Sequence, residues 1–258
     1  MYYLGKGVNQ DYKEAFKWFE KSALQGNAEG EYKFGEMYLL GEGVDYNKKE
    51  AFKWFEKSAL QNSANGQYRL GEMYYFGNEV NKDNKEAFKW FEKSALQNNA
   101  EGQFWLAFMY YFGEGVNKDL KEAFKWYKKS ALQGNANGQK RVGDLYRLGE
   151  GVNKDDKEAF NWYEKSALQG NAEAQNKLGE MYYYGVGANQ DYKKAFKWYE
   201  KSALQGNAEG QYGLGYIYHS GNEVNQDFKE AFKWYEKSAL QGYGKALTVI
   251  GFWYEIGG

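Results

Sequence analysis

The chain has 258 residues with no cysteine, no proline, one histidine, 20% aromatic residues and a net charge of −1. Without cysteine it has no disulfide, thiolate zinc site, iron–sulfur ligation or cysteine nucleophile, and His219 alone cannot supply a site built on two imidazoles. Balanced charge gives no global field for nucleic acid or an anionic membrane. The longest apolar run, the nine residues Phe104 to Phe112, falls far short of the ~20 needed to cross a bilayer.

A period dominates the sequence. Trp18, Trp54, Trp90, Trp126, Trp162, Trp198 and Trp234 recur every 36 residues, and KEAFKWFEKSALQ stands unchanged at 13–25, 49–61 and 85–97. Such self-similarity marks stacked supersecondary units. No linker, charge block or change of composition interrupts it, which predicts one continuous array over 1–258 with no second domain.

In chain order, Met1-Tyr2-Tyr3-Leu4 aligns with Met37-Tyr38-Leu39-Leu40, the end of a first kind of helix, so the chain opens inside a unit. The unit at 27–62 predicts helix A over Ala28–Leu40 and helix B over Lys48–Gln61. Ala51, Phe52, Phe55 and Ala59 form the apolar stripe of helix B, and Lys49, Glu50, Lys53, Glu56 and Lys57 form its solvated side. Glu50 stands three before Lys53, the spacing of a weak surface pair. Asp-x-x-Glu precedes helix B at Asp11/Glu14, Asp83/Glu86, Asp119/Glu122, Asp155/Glu158 and Asp227/Glu230, a capping-box pattern in which the Glu reaches back. Asn47 and Asp191 take the cap in the other two units, with Lys194 in place of the Glu after Asp191. Helix B ends at Gly26, Gly134, Gly170, Gly206 and Gly242, or at Asn62 and Asn98, the residues that best accept a left-handed C′ conformation. Asn27 and its equivalents, or Ser63, then cap helix A. The A–B loop is Gly-Glu-Gly-Val at 41–44 but Gly-Asn-Glu-Val at 77–80 and 221–224, which predicts a shifted positive-φ position in those two loops. The chain closes on a further helix A, from Ala246 to Ile256, with no helix B after it. Neither end carries the polar cap usual for a solenoid, which predicts a fragment of a longer protein or a terminal helix that serves as cap or interface.

The unit at 172–207 resembles the Sel1-like repeat, through Ala172, Ala174, Gln175, Leu178, Gly179, Tyr182, Gly185, Gly187, Asp191, Ala195, Trp198, Lys201, Ala203 and Gly206. Seven in-phase copies extend the resemblance over essentially the whole chain. Two departures recur. Gly30, Gly66, Gly102, Gly138 and Gly210 replace the family's second alanine, and Ser-Ala replaces an alanine pair of helix B. The resemblance implies an all-α, right-handed α-solenoid of about seven 36-residue helix–turn–helix units related to the tetratricopeptide array, and an interaction or scaffolding role. A single helix pair cannot bury its apolar face alone, so the units must stack. Gly35, Gly71, Ala107, Gly143, Gly179, Gly215 and Gly251 are expected to let helix A approach a neighbour closely, and each Trp is expected to anchor packing.

Function is sought where the units differ. On one face of helix A the third unit reads Glu101/Trp105/Phe108/Phe112, where its neighbours read Asn65/Arg69/Glu72/Phe76 and Asn137/Arg141/Asp144/Leu148. Trp105, Phe108 and Phe112, flanked by Arg69, Glu72, Arg141 and Asp144, with Tyr216 further along, are the candidate partner-binding residues on a concave helix-A face. The alternative is a locally enlarged core. Val249, Phe252 and Ile256, beside Trp253, suggest self-association, or a surface covered by a further helix. No catalytic residue, cofactor site or metal site is identified. The Gly-rich loops lack phosphate-loop spacing, the acidic loops lack EF-hand spacing, and the helix-B serines have no histidine to activate them. His219 reads as a surface or partly packed side chain.

The expected function is a non-catalytic scaffold or adaptor for a protein or peptide, with no nucleic-acid partner and no membrane insertion. Two alternatives stand beside it. One is a β-lactam hydrolase or penicillin binder, as described for some secreted relatives, which pair cysteines that this chain lacks. The other is a structural segment of a larger envelope or signalling protein.

Overall fold

The computed structural model describes residues 3, 7, 9–222 and 224–255, so the predicted starting segment at Met1, Tyr2 and Leu4 lies outside the described residues, as does Ile256. Fourteen helices and no strand occur among the described residues, which makes the chain an all-α solenoid. The B helices are α1 (Tyr12–Leu24), α3 (Lys48–Leu60), α5 (Asn84–Leu96), α7 (Leu120–Leu132), α9 (Asp156–Leu168), α11 (Tyr192–Leu204) and α13 (Phe228–Leu240). The A helices are α2 (Ala28–Leu40), α4 (Ala64–Phe76), α6 (Ala100–Phe112), α8 (Ala136–Leu148), α10 (Ala172–Tyr184), α12 (Ala208–Ser220) and α14 (Gly244–Glu255). Two compact units divide the chain, residues 1–133 and 134–258. Within each, consecutive helices pack on one another, and A helices also touch A helices of the next repeat, as α2 touches α4, α4 touches α6 and α10 touches α12.

The helix ends follow their residues. Asp11, Asn47 and Asp83 accept from the backbone N–H three residues on, at 3.0 to 3.1 Å. The predicted reach-back of the Glu does not form. The cap's own N–H donates instead to a tyrosine carbonyl of the preceding A helix, as Asn47 does to Tyr38, Asp83 to Tyr74 and Asp119 to Tyr110 at 2.9 to 3.0 Å. With that donor taken, the Glu turns outward to the lysine three residues ahead, as in Glu50–Lys53 at 2.6 Å and Glu86–Lys89 at 2.8 Å. Helix B ends in the left-handed region at glycine, and Asn62 (φ 67°) and Asn98 (φ 65°) adopt the same conformation. Helix B itself stops one residue earlier than expected, with Gln61 as its cap.

The loop expectation is overturned at 77–80, while Glu223 of the 221–224 loop lies outside the described residues. At 77–80 the positive-φ position does not shift: Glu79 sits at φ 64°, where the other loops place glycine, such as Gly115 at φ 70°.

The core lies between A and B helices. Ala51, Phe55, Tyr32 and Met73 form one buried cluster in the first unit, and Leu178, Met181 and Tyr163 belong to one in the second. The small residue of helix A faces the aromatic of helix B: a Cβ added at Gly71 would lie 2.7 Å from the Phe91 ring, and one at Gly143 2.7 Å from Tyr163. Gly251 meets nothing within 4 Å, so the expected close contact is absent there.

The two departures from the family pattern prove to be linked. From α3 onward the helix-B serine is buried, and its hydroxyl donates to the first carbonyl of its own A helix, Ser58 to Ala28 at 2.6 Å and Ser94 to Ala64 at 2.7 Å. Its Oγ then fills the space where the next A helix would carry a methyl: a Cβ at Gly66 would lie 2.5 Å from Ser58 Oγ. Glycine there makes room for the serine. Ala174 beside Ser166 is the exception, accommodated with the Ser166–Ala136 bond intact at 2.7 Å.

Buried glutamines join the helices. Gln97 donates to Gln67 Oε1 at 2.7 Å, and Gln67 donates onward to the Ala59 carbonyl at 3.4 Å and to Asn62 at 3.0 Å. The Gln133–Gln103, Gln169–Gln139, Gln205–Gln175 and Gln241–Gln211 pairs repeat this at 2.7 to 2.8 Å. In the first A helix Glu31 takes the glutamine's place, 4% exposed, and accepts from Gln61 at 2.6 Å. Burial raises its carboxyl above the usual range, while Lys57 and the Gln61 bond pull the other way. An acid whose folded pKa is raised contributes most below its unfolded value, near ~4.3, and that contribution is lost as pH rises through the folded value. Glu31→Gln is therefore expected to raise stability by about 1 kcal/mol at neutral pH and by progressively less toward pH ~4. Urea midpoints across that range check it, and a gain independent of pH would count against it.

Candidate functional site

Three of the repeated tryptophans, Trp90, Trp126 and Trp162, are buried between helices, and Trp54, Trp198 and Trp234 are half-buried. Trp90 is 9% exposed and Trp162 5%, whereas Trp18 is 53% exposed. The lysine three residues after each of the seven repeated tryptophans folds over its ring, with Nζ 3.9 to 4.5 Å from the centroid. Lys57 and its equivalents are thus cation–π partners rather than members of a freely solvated face. The spacing Trp-x-x-Lys in all seven units is the signal that marks them.

In the first unit the odd helix α6 builds an aromatic cluster. The Trp105 ring stacks on Phe91 at 5.5 Å and 10°, and meets Tyr75 at 5.2 Å, Phe76 at 5.6 Å and Phe108 at 5.2 Å. Phe108 meets Phe112 at 4.5 Å. Trp105 and Phe108 are half-buried, while Phe76 and Phe112 remain 54% and 49% exposed. The cluster is therefore both an extension of the core and an open surface. Burial, and then a hydrogen bond with Glu114, push the Tyr75 hydroxyl up to about 12, so it stays protonated and keeps the cluster neutral.

Arg69 and Glu72 adjoin it through Phe76, with which they line a cavity of 210 Å³. Arg69 donates to Glu36 of the preceding A helix at 3.1 Å and to Glu72 at 2.9 Å, and its guanidinium carbon lies 5.2 Å from the Tyr68 ring centroid. Glu36 also receives Lys33 at 2.8 Å and the Tyr32 hydroxyl. Burial alone raises the Glu36 carboxyl, but the hydrogen bonds from Lys33, Tyr32 and Arg69 outweigh it and hold it below the ordinary range.

Arg141 and Asp144 lie in the second unit. Asp144 accepts from the Tyr163 hydroxyl at 3.0 Å, pairs with Lys140 at 3.0 Å and stands 3.5 Å from Arg141. Tyr216, 39% exposed, lines a separate cavity of 300 Å³ in that unit with Tyr183, Tyr199, Tyr212 and Tyr243. In α14, Phe252 is 59% exposed and Val249 is half-buried. Trp253 turns inward instead, to His219 at 5.5 Å, Phe232 at 5.6 Å and Tyr235 at 5.7 Å. No group of three or more metal-ligating side chains occurs among the described residues, and no described helix is long and apolar enough to cross a membrane.

The Sel1 repeat profile matches residues 1–27, 28–63, 64–99, 100–135, 136–171, 172–207 and 208–243. The chain is similar to the crystal structure of c5321, a protective antigen of uropathogenic Escherichia coli strains with an SLR fold, at 37% identity and TM-score 0.82, covering all of this chain and 55% of that one. It thus spans about half the length of that relative. It is also similar to a Sel1 repeat protein from Oxalobacter formigenes, at 38% identity and TM-score 0.81, covering 89% of this chain and 94% of that one. Among curated proteins, none matches it. Sel1 repeats generally serve protein–protein interaction. With seven successive matches over 1–243, the chain belongs to the Sel1 repeat family.

Proposed function

We propose that this chain is a non-catalytic scaffold that binds a protein or peptide segment along the concave side lined by its A helices, with the repeats acting as one continuous array. The observation that carries this reading is the aromatic cluster of α6. Trp105 and Phe108 stand where neighbouring repeats place charged residues, and they continue into the exposed rings of Phe76 and Phe112 beside the Arg69–Glu72 pair. Half-buried aromatics next to an arginine are the composition of an interaction hot spot: the buried part fixes the rings, and the exposed part offers apolar area at little entropic cost.

Selection of binders from a random peptide display, followed by Trp105→Ala plus Phe108→Ala, tests the assignment. The expected result is affinity for the selected peptides reduced by at least ~10-fold, with the helical circular dichroism retained. Unchanged affinity would overturn it. In this reading the chain turns over no β-lactam, and a chromogenic cephalosporin incubated with it is expected to remain intact.

A further inference from the structure

The 300 Å³ cavity of the second unit sits where one repeat lacks a side chain that others possess. Helix-A position 33 and its equivalents carry Lys33, Arg69, Trp105, Arg141 and Lys177, but Gly213 in α12. In the first unit the arrangement is complete: Lys33 and Arg69, from successive repeats, both pair with Glu36, and Arg69 lies beside the Tyr68 ring. The second unit reproduces the lysine, the acid and the ring but not the arginine, and Asn176, bonded to Glu209, stands for Tyr32. Lys177 stands for Lys33, Glu180 for Glu36 and Tyr212 for Tyr68, each displaced by 144 residues in the sequence. Lys177 lies 3.5 Å from Glu180, as its counterpart does at 2.8 Å, and no second cation arrives from position 213.

Exposure records the difference. Glu36, covered by Arg69 and the Tyr32 hydroxyl, has a side chain 12% exposed; Glu180, with neither, has one 46% exposed. Around Glu180 the cavity is walled by tyrosines. The Tyr199 ring leans onto Gly213, so that a Cβ there would lie 2.4 Å from it, and Tyr216 replaces the acid Glu72. Glu209, held by Lys177 at 3.2 Å and by Asn176 at 2.8 Å, adds a second carboxylate, and Lys245 adds a second cation to the lining.

We infer that this cavity receives an arginine side chain of a bound peptide, seated against Glu180 and the Tyr212 ring in the place that Arg69 fills from within the chain. A guanidinium suits it because its flat face stacks on tyrosine while its N–H edge pairs with a carboxylate, as Arg69 does with Tyr68 and Glu36. This inference rests on the proposed peptide-binding role and names the side chain that the second unit selects.

The test is titration of the whole chain with Nα-acetyl-arginine amide, followed by NMR of labelled tyrosines. Nα-acetyl-citrulline amide is the neutral control of equal shape. The expected result is shifts confined to tyrosines of the cavity, with a Kd on the order of 1–10 mM, and binding of the citrulline probe at least ~10-fold weaker. Glu180→Gln, at an accessible position that the fold does not require, is expected to weaken arginine binding ~10-fold and to leave citrulline unchanged. Equal binding of the two probes, indifference to Glu180→Gln, or no shift at all overturns the arginine assignment. Peptides from the display that still bind through Trp105 would then leave the scaffold reading intact. Arginine binding without any peptide ligand would strike that reading and not the cavity.

Discussion

Phe91→Ala is expected to lower the stability of the chain by about 3–5 kcal/mol, the usual range for deletion of a buried aromatic that leaves a cavity. Phe91 is fully buried, its ring is the body that Gly71 makes room for, and Trp105 stacks on its face. Its loss removes a helix-pair contact and the floor of the aromatic cluster together, and the backbone around Gly71 is too close-packed to collapse without moving α4 against α5. Urea unfolding followed by circular dichroism measures the loss. Phe91→Tyr is the control. Tyr163 occupies the equivalent position and bonds Asp144, and Glu72 is the residue equivalent to Asp144. That variant is expected to stay within about 1 kcal/mol of the parent, since one hydrogen bond offsets one buried hydroxyl. A loss below ~1 kcal/mol for Phe91→Ala would mean that the cluster packs without its floor and that the core assignment is wrong.

The second large effect concerns the A–B loop. Glu79→Gly is expected to raise stability by about 1–2 kcal/mol, the cost of holding a residue with a Cβ in the left-handed region. The reciprocal change, Gly115→Glu, is expected to lower it by about 2 kcal/mol or more, because strain and a clash add. Gly115 sits at φ 70°, and a Cβ there would lie 2.1 Å from the carbonyl oxygen of Asn84, the first residue of the preceding B helix. Asn98→Gly gives the baseline. Asparagine already tolerates the left-handed conformation, and a change of no more than a few tenths of a kcal/mol is expected. Melting temperatures of the three variants compare them directly. A Glu79→Gly variant no more stable than its parent would show that this loop carries no strain.

The contrast between these positions shows what could be read from the chain and what could not. Local signals in one residue's own chemistry were legible. The Trp period gave the repeats, Asp, Asn and Ser gave the caps, and glycine or asparagine gave the helix ends. Signals that depend on which group reaches a donor first were not. Asp83 and Glu86 read as a reciprocal box, but the Tyr74 carbonyl, brought in by packing, takes the backbone donor before Glu86 can. Glu79 read as a displaced turn because residue type was taken to control φ, whereas the loop keeps the left-handed conformation in spite of it. The serine and glycine departures were visible separately, and only the packing of one helix on the next joins them. At the candidate site, Trp105 and Phe108 stood out because they broke the period. Gly213 broke it as well, but a glycine announces a space only when its neighbours' positions are known.

The serine latch and the glutamine pair have a consequence for how the chain reaches its structure. Ser58 to Ala28, Ser94 to Ala64, Gln97 to Gln67 and Gln205 to Gln175 each join residues thirty apart. These closures never span more than one repeat, so the loop entropy they must overcome is the same small amount each time. Contacts of this kind favour fast folding, with nucleation at any repeat and growth in both directions. Kinetic traps from distant mispairing have no place in such a scheme. The hazard is a slip by one whole period, because identical segments such as 13–25 and 49–61 offer identical docking faces. Where repeats differ, at Trp105 or Gly213, they also tell the growing stack which neighbour is which.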